Sequence, residues 1–341
     1  MGKYRQRRYI CPHCKHAFAE SNPFVRKHMQ LSVTNIQQLF DKLTESLTYT
    51  AIAKECDNSI TTVLRYCSMI TILKPKILPT VIGIDKFKGN AEEYHYQVNL
   101  TNPDTHEILD ILPKRDTQAL IRYFASFKHK DRLQVKFIVM EMSIQFKRIM
   151  EMLFPHTHII CDRYHVCRLV DWAVERVKKC EQHKLATHSR MLKQNRCVLM
   201  KHPDYLTEAE HIKLCEILRI SDDLRKAYDL KLFFRKIFST YGKQGITTHL
   251  THWLELVKAS ALNEFNNFFT SFPAWIKQLT NAFLLPYSNG YTEGTNNKIK
   301  VLKRISYGLR HFGRFRVRLL LLSKKNGTNH TYDWCQRRLV G

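Results

Sequence analysis

Apolar positions along the chain change period twice. Between residues 33 and 68 they recur at helical spacing; "SLTYTAIAKECDNSITTVLRYCSM" breaks at Cys56-Asp57-Asn58 and restarts behind Ser59, whose hydroxyl suits a helix N-cap. That pattern predicts a helix-turn-helix over 31–72, with Thr61, Thr62 and Arg65 on the outer face of its second helix, short hydroxyls and a guanidinium suited to DNA. Two prolines in "LKPKILP" (73–79) predict a linker. Beyond it the period shortens. Strands are expected at 80–87, 93–101 and 107–112, with a turn at "NPDT" joining the last two. Then helix 116–127, strand 135–141, a helix to Phe154, strand 157–162 and helix 165–179 alternate, the order of a mixed α/β sheet with helices packed on it.

The period lengthens again over 180–285, where no strand pattern occurs. "TEAEHIKLCEILRI" and "SDDLRKAYDLKLFFRKIFSTY" read as helices, and Trp253, Phe265, Phe268, Phe269, Trp275 and Phe283 supply bulk for an all-helical core. The chain therefore divides into 1–30, the helix-turn-helix 31–72, a sheet-bearing segment 80–179, a helical segment 180–285, a segment 286–325 and a tail 326–341.

Charge changes the picture most. Fifty-five Lys and Arg against thirty Asp and Glu give a net charge of +25, which points to a polyanionic partner, double-stranded DNA first. No apolar run approaches the roughly 20 residues of a membrane span, so no membrane partner is expected. Ten cysteines scattered through apolar or helical patterns fit reduced thiols in a cytoplasmic protein, nucleoid-associated when bound to DNA. Only Cys11 and Cys14, in "YICPHCKHAF", have metal-ligand spacing. They make a partial zinc knuckle, a half site, because zinc needs four ligands and neither His16 nor His28 sits at standard spacing.

Three acids stand at strand ends: Asp85 in "VIGIDKF", Glu141 in "FIVMEMS" and Asp162 in "HIICDRYH". A fourth, Glu293, opens a helix in "YSNGYTEGTNNKIKVLKR" whose one face would carry Asn297, Lys300 and Arg304 as well. Carboxylates gathered in a basic protein repel one another and make sense around divalent cations, Mg²⁺ or Mn²⁺, two of which can drive phosphodiester transfer. From Lys298 to Arg318 there are eight Lys or Arg and no acid, with Tyr307, Phe312 and Phe315 interleaved, a run suited to phosphate contact by Asn297, Lys300, Lys303, Arg304 and Arg310.

With "GIDKF", "YHYQVNL", "CDRYHV" and above all "SNGYTEGTNNKIKVLKRISYGLRHFGRFRVRLLL", nearly the whole chain resembles the DDE transposases of bacterial insertion sequences of the ISL-three type. The resemblance implies a ribonuclease-H-like core interrupted by a helical insertion at 180–285 and completed by 286–325. It implies DNA cleavage and strand transfer at insertion-sequence ends, with terminal inverted repeats and target DNA as partners and a homo-oligomer on DNA. It maps the metal-holding triad onto Asp85, Glu141 and Glu293 and the family's "DRFH" onto Asp162 and His165. Two positions depart from the family: an earlier cysteine pair is missing, which suggests an N-terminal truncation, and Glu141 stands where the family has Asp. A remnant that only binds DNA and a helix-turn-helix transcriptional regulator are the rival readings.

Overall fold

A computed structural model describes residues 5–25, 29–89, 95–239, 245–305, 311–323 and 332–334. His28, Tyr307 and Arg310, and the first two residues of the strand expected at 93–101, lie outside these. The central sheet has five strands: β1 (Val81–Lys88), β2 (Tyr96–Asn102), β3 (Glu107–Leu112), β4 (Phe137–Met140) and β5 (His158–Cys161). Their spatial order is β3-β2-β1-β4-β5, antiparallel among the first three and parallel from β1 through β4 to β5. This is the mixed, helix-covered sheet of a ribonuclease-H-like core.

Period-2 alternation sorts β1 between two cores. Ile82 and Ile84 face a large core that holds α4 (Thr117–Ala125), α5 (Ile144–Leu153) and α6 (Arg163–Lys184). Val81, Gly83, Asp85 and Phe87 alternate with them and turn to the opposite face. Each helix start has a visible cause. Asp116 caps α4 by accepting from Ala119 N–H, Ser143 caps α5 through Phe146 N–H, and Asp162 caps α6 through Tyr164 N–H.

Between α6 and residue 284 the described residues form only helices, the longest being α7 (Glu208–Ile220), α8 (Asp222–Ser239), α9 (Ile246–Ser260) and α10 (Ile276–Leu284). Thr207 and Glu210 close a capping box on α7, and Ser221 receives Leu224 N–H at the start of α8. Trp253, Phe265, Phe268 and Trp275 are buried, Phe283 is half-buried, and the side chain of Phe269 lies outside the description. Trp253 donates its indole N–H to Leu230 O (2.8 Å), so the polar end of this buried ring is satisfied.

The chain then returns to the sheet as α11 (Gly290–Ile305) and α12 (Phe312–Ser323). These cover the face that bears Phe87, and on them sit the N-terminal helices α1 (Val33–Leu43), α2 (Tyr49–Glu55) and α3 (Ile60–Met69). One apolar cluster runs without interruption from Leu39, Ile52 and Val63 through Phe315 and Leu319 to Phe87 and Ile111. The break between α2 and α3 is held by Asp57 in the left-handed region (φ 52°), which Asp tolerates, and by Asn58, which donates to Cys56 O and Asn35 Oδ1. Ahead of them, Arg8–Ile10 and Ala17–Ala19 form an antiparallel hairpin whose turn carries Cys11 and Cys14.

Candidate active site

The site starts from a close approach. Gly83 on β1 has no Cβ, and one placed there would stand 2.5 Å from Thr101 Oγ1 and 2.5 Å from Thr292 Oγ1. That absence lets the first turn of α11 lie directly on the sheet, where Thr101 and Thr292 share a hydrogen bond of 2.7 Å. One turn further along α11, Asn296 meets Asp85. Its Nδ2 donates to Asp85 Oδ2 (2.7 Å), while Asn99 on β2 donates to Asn296 Oδ1 (3.2 Å) and fixes the amide's orientation. The other Asp85 oxygen accepts Lys86 N–H (2.8 Å).

Glu141 follows β4 directly and pairs with Lys86 Nζ (2.8 Å). Asp162 follows β5; its Oδ2 lies 2.7 Å from His165 Nδ1, and the same imidazole nitrogen is 3.5 Å from Glu293 Oε1 on α11. Ligand atoms of Asp85, Glu141 and His165 fall within 4.8 Å of one another, as do those of Asp162, His165 and Glu293. The two groups share His165. Asp85, Glu141 and Glu293 thus line one cleft of about 290 Å³ together with His165, Lys86, Lys88, Arg168 and Lys300, and Asp162 adjoins it through its contact with His165. Asp85, expected at a strand end, sits inside β1, where it pairs in register with Asn99.

Electrostatics shows what such a site lacks when bare. Burial, with help from the neighbouring Glu141 and Asp162 charges, pushes the Asp85 carboxyl up to about 6, although His165 opposes the rise. Burial and Asp162 push Glu293 up to about 7. His165 moves up as well, because its hydrogen bond to Asp162 outweighs its own desolvation. A divalent cation would relieve all three. The donors are hard oxygens plus one imidazole, with no thiol lining the cleft, a set that fits Mg²⁺ or Mn²⁺.

The other expected residues are dispersed. Thr61 and Arg65 are exposed on α3 and Thr62 is half-buried, its hydroxyl 2.9 Å from Ser59 Oγ; none lies in the cleft. Asn297 and Lys300 line the cleft and share a hydrogen bond of 3.2 Å, and Arg304 is exposed. Lys303 is half-buried and donates to Lys88 O, tying α11 to the end of β1. Cys14 is exposed and Cys11 half-buried, with its thiol lowered by hydrogen bonds to the Cys14 and His13 backbone. Among the described residues no further Cys, His, Asp or Glu joins these two to complete a metal group.

Sequence reasoning named Asn297, four residues after Glu293; the amide that holds Asp85 is Asn296, three residues after it. It also missed Gly83, Asn99, Thr101 and Thr292. The available signal was Gly83 itself, a glycine inside a strand pattern, which marks a bulge or a close approach.

A family model described as Transposase, that of the ISL-three DDE type, matches residues 82–319. The transposase for insertion sequence element IS1001 of Bordetella parapertussis is 22% identical over 233 residues, 67% of this chain and 57% of that protein. The transposase for insertion sequence element IS1557 of Mycobacterium tuberculosis is 32% identical over 122 residues, 36% of this chain and 27% of that protein. A protein of Lactococcus lactis named ATP-dependent protease is 31% identical over 121 residues, 36% of this chain and 37% of its own length. The chain thus spans between about a quarter and somewhat over half of the relatives it matches.

Proposed function

We propose, from the premise that this chain belongs to the ISL-three family of DDE transposases, that it cuts and transfers DNA strands at insertion-sequence ends with Asp85, Glu141 and Glu293 holding two divalent cations. The observation that carries this reading is the convergence of these carboxylates, with Asp162 and His165, in one open cleft with a cationic rim. Bound there, the cations supply Lewis acidity at the phosphate and activate the attacking water or 3′-hydroxyl. Asn296 holds Asp85 Oδ2 and Lys86 N–H holds Oδ1, so that carboxylate enters the reaction already oriented. His165 bridges Asp162 and Glu293 and keeps the N-terminus of α6 against α11. Lys300, with Asn297 and Arg304 on the same outer side of α11, steadies the phosphates on either side of the cut. The hydroxyls of Thr61 and Thr62 and the Arg65 guanidinium on α3 meet the terminal repeats.

Glu141 carries one methylene more than the family's Asp, about 1.5 Å of extra reach. Its carboxylate is held by Lys86 Nζ at 2.8 Å. A misplacement of about 1 Å costs on the order of 10²-fold in rate, so Glu141→Asp is expected to raise activity. The test is strand cleavage and transfer on DNA carrying the element ends, in Mg²⁺ and in Mn²⁺. Activity abolished by Asp85→Asn supports the assignment, and activity surviving that substitution sinks it. A transcriptional regulator would have no use for the acids in the cleft, and nothing in the geometry favours it.

A further inference from the structure

Helix α6 begins at Asp162 and carries His165 into the cleft, and its inner face is made of small and branched residues, Val166, Val170, Ala173 and Val174, all buried. Its outer face is unlike that. Tyr164, Arg168 and Trp172 follow one another at four-residue spacing, so they form a single stripe along the helix. Tyr164 is 58% exposed and Trp172 is 42% exposed. The other two tryptophans whose side chains are described, Trp253 and Trp275, are buried in the helical insertion. Tyr164 and Arg168 also line the catalytic cleft, and the Arg168 guanidinium lies over the Trp172 ring, 4.5 Å from its centroid. The stripe therefore leads out of the cleft as a run of flat, π-faced groups with one cation lodged among them.

A scattered exposed aromatic is ordinary, but an aromatic, cationic and aromatic series continuous with a phosphate-cutting cleft matches what a strand with free base faces requires. A duplex offers this stripe only backbone and base edges, since its base faces are stacked on one another. The eight-residue step from Tyr164 to Trp172 corresponds to about 12 Å along the helix, more than three base steps of B-form rise. Two rings so far apart cannot grip one paired step. We propose that Tyr164, Arg168 and Trp172 form a stacking platform for unpaired bases of the DNA strand beside the phosphate being cut. The proposal rests on the reading of the cleft as a DNA-cutting site and adds to it the state of the substrate: locally melted.

The test is a binding titration of the full chain with an oligo-dT strand in Ca²⁺, followed by tryptophan emission, alongside binding of duplex element-end DNA. Oligo-dT is expected to quench the emission of the unaltered chain. Trp172→Leu is expected to remove that quench and weaken oligo-dT binding about tenfold, Tyr164→Leu to weaken it similarly, and Trp172→Phe to retain most of the affinity. Duplex binding should be unchanged in the two Trp172 variants, since Trp172 lies outside the cleft. Equal oligo-dT affinity in Trp172→Leu, Tyr164→Leu and the unaltered chain overturns the platform, leaving an ordinary surface cation–π pair. Because this readout needs no cleavage, loss of the cutting assignment through an active Asp85→Asn variant is seen separately from loss of the platform.

Discussion

Helices α11 and α12 come from one basic run, yet the fold treats them in opposite ways. On α11, Lys298, Lys300 and Arg304 face outward, and Glu293 and Asn297 line the cleft. On α12 the cations turn in. Arg314 donates to Ser68 Oγ at the end of α3 (2.7 Å), and Arg316 pairs with the buried Asp110 (2.6 Å) and donates to Ile72 O (2.8 Å). Arg318, 1% exposed, donates to the carbonyls of Lys42, Leu43, Glu45 and Leu47, closing the last turn of α1 and the loop beyond it. Phe312 and Phe315, interleaved with these cations, are core residues and not a stacking surface. The phosphate-binding run expected over 298–318 is therefore, in its described part, exposed on α11 apart from Lys303 and an internal clasp on α12. Net charge in a window shows how many cations there are; which of them meet a ligand depends on where carbonyls and acids from distant segments end up.

The strongest way to break this contrast is at Glu293. Glu293→Gln on α11 is expected to lower strand transfer at least about 10³-fold, since metal-held charge stabilisation is worth several kcal/mol, with the thermal midpoint unchanged or raised. Arg318→Leu on α12 should do the reverse. It leaves several buried carbonyls without a donor and is expected to cost about 3 kcal/mol in a denaturant titration, while cleavage per folded molecule persists.

A pH series sharpens the cleft side. Asp85 and Glu293 are raised from ordinary values near 3.9 and 4.3 to about 6 and about 7, and His165 is raised too. Over that interval the folded chain binds more protons than the unfolded one, so without metal its stability falls as pH rises from 5 to 7. Mg²⁺ should then raise the melting temperature more at pH 7 than at pH 5, and Glu293→Gln should flatten the metal-free slope. A slope unchanged in that variant would remove Glu293 as its source. The smallest effect belongs to the outer cations. Lys300→Ala with Arg304→Ala should reduce the salt dependence of DNA binding by about 0.9 for each phosphate no longer neutralised and leave stability within about 0.5 kcal/mol.

These contrasts follow how information lies in the chain. The strands of the sheet were legible nearly to the residue because β1, β4 and β5 are buried apolar runs, and helix starts because Ser59, Asp116 and Ser221 are caps with local hydrogen bonds. Glu141 and Asp162 were legible as acids at strand ends, whereas Asp85, read the same way, lies inside β1 with three more strand residues after it. Asn296 was not, since its partners Asp85 and Asn99 lie 211 and 197 residues away and leave no local trace. The inward turn of Arg318 was hidden for the same reason: the carbonyls it serves lie more than 270 residues earlier. The helix α6 runs from Arg163 to Lys184, longer at both ends than the expected 165–179, because Asp162 caps its first turn and its buried stripe continues past 179 to Glu181.

The bond between Asn296 and Asp85 also sets a clock on the ribosome. At about 5–20 residues per second, the 211 residues that separate them represent roughly 10–40 s of synthesis, during which β1 has emerged and its carboxylate has no amide to orient it. The sheet can form in that interval, and so can the helical insertion. The acidic cleft cannot, so a nascent chain passes through a long stage in which α1 to α3 and the strands exist and the cleft between β1 and α11 does not.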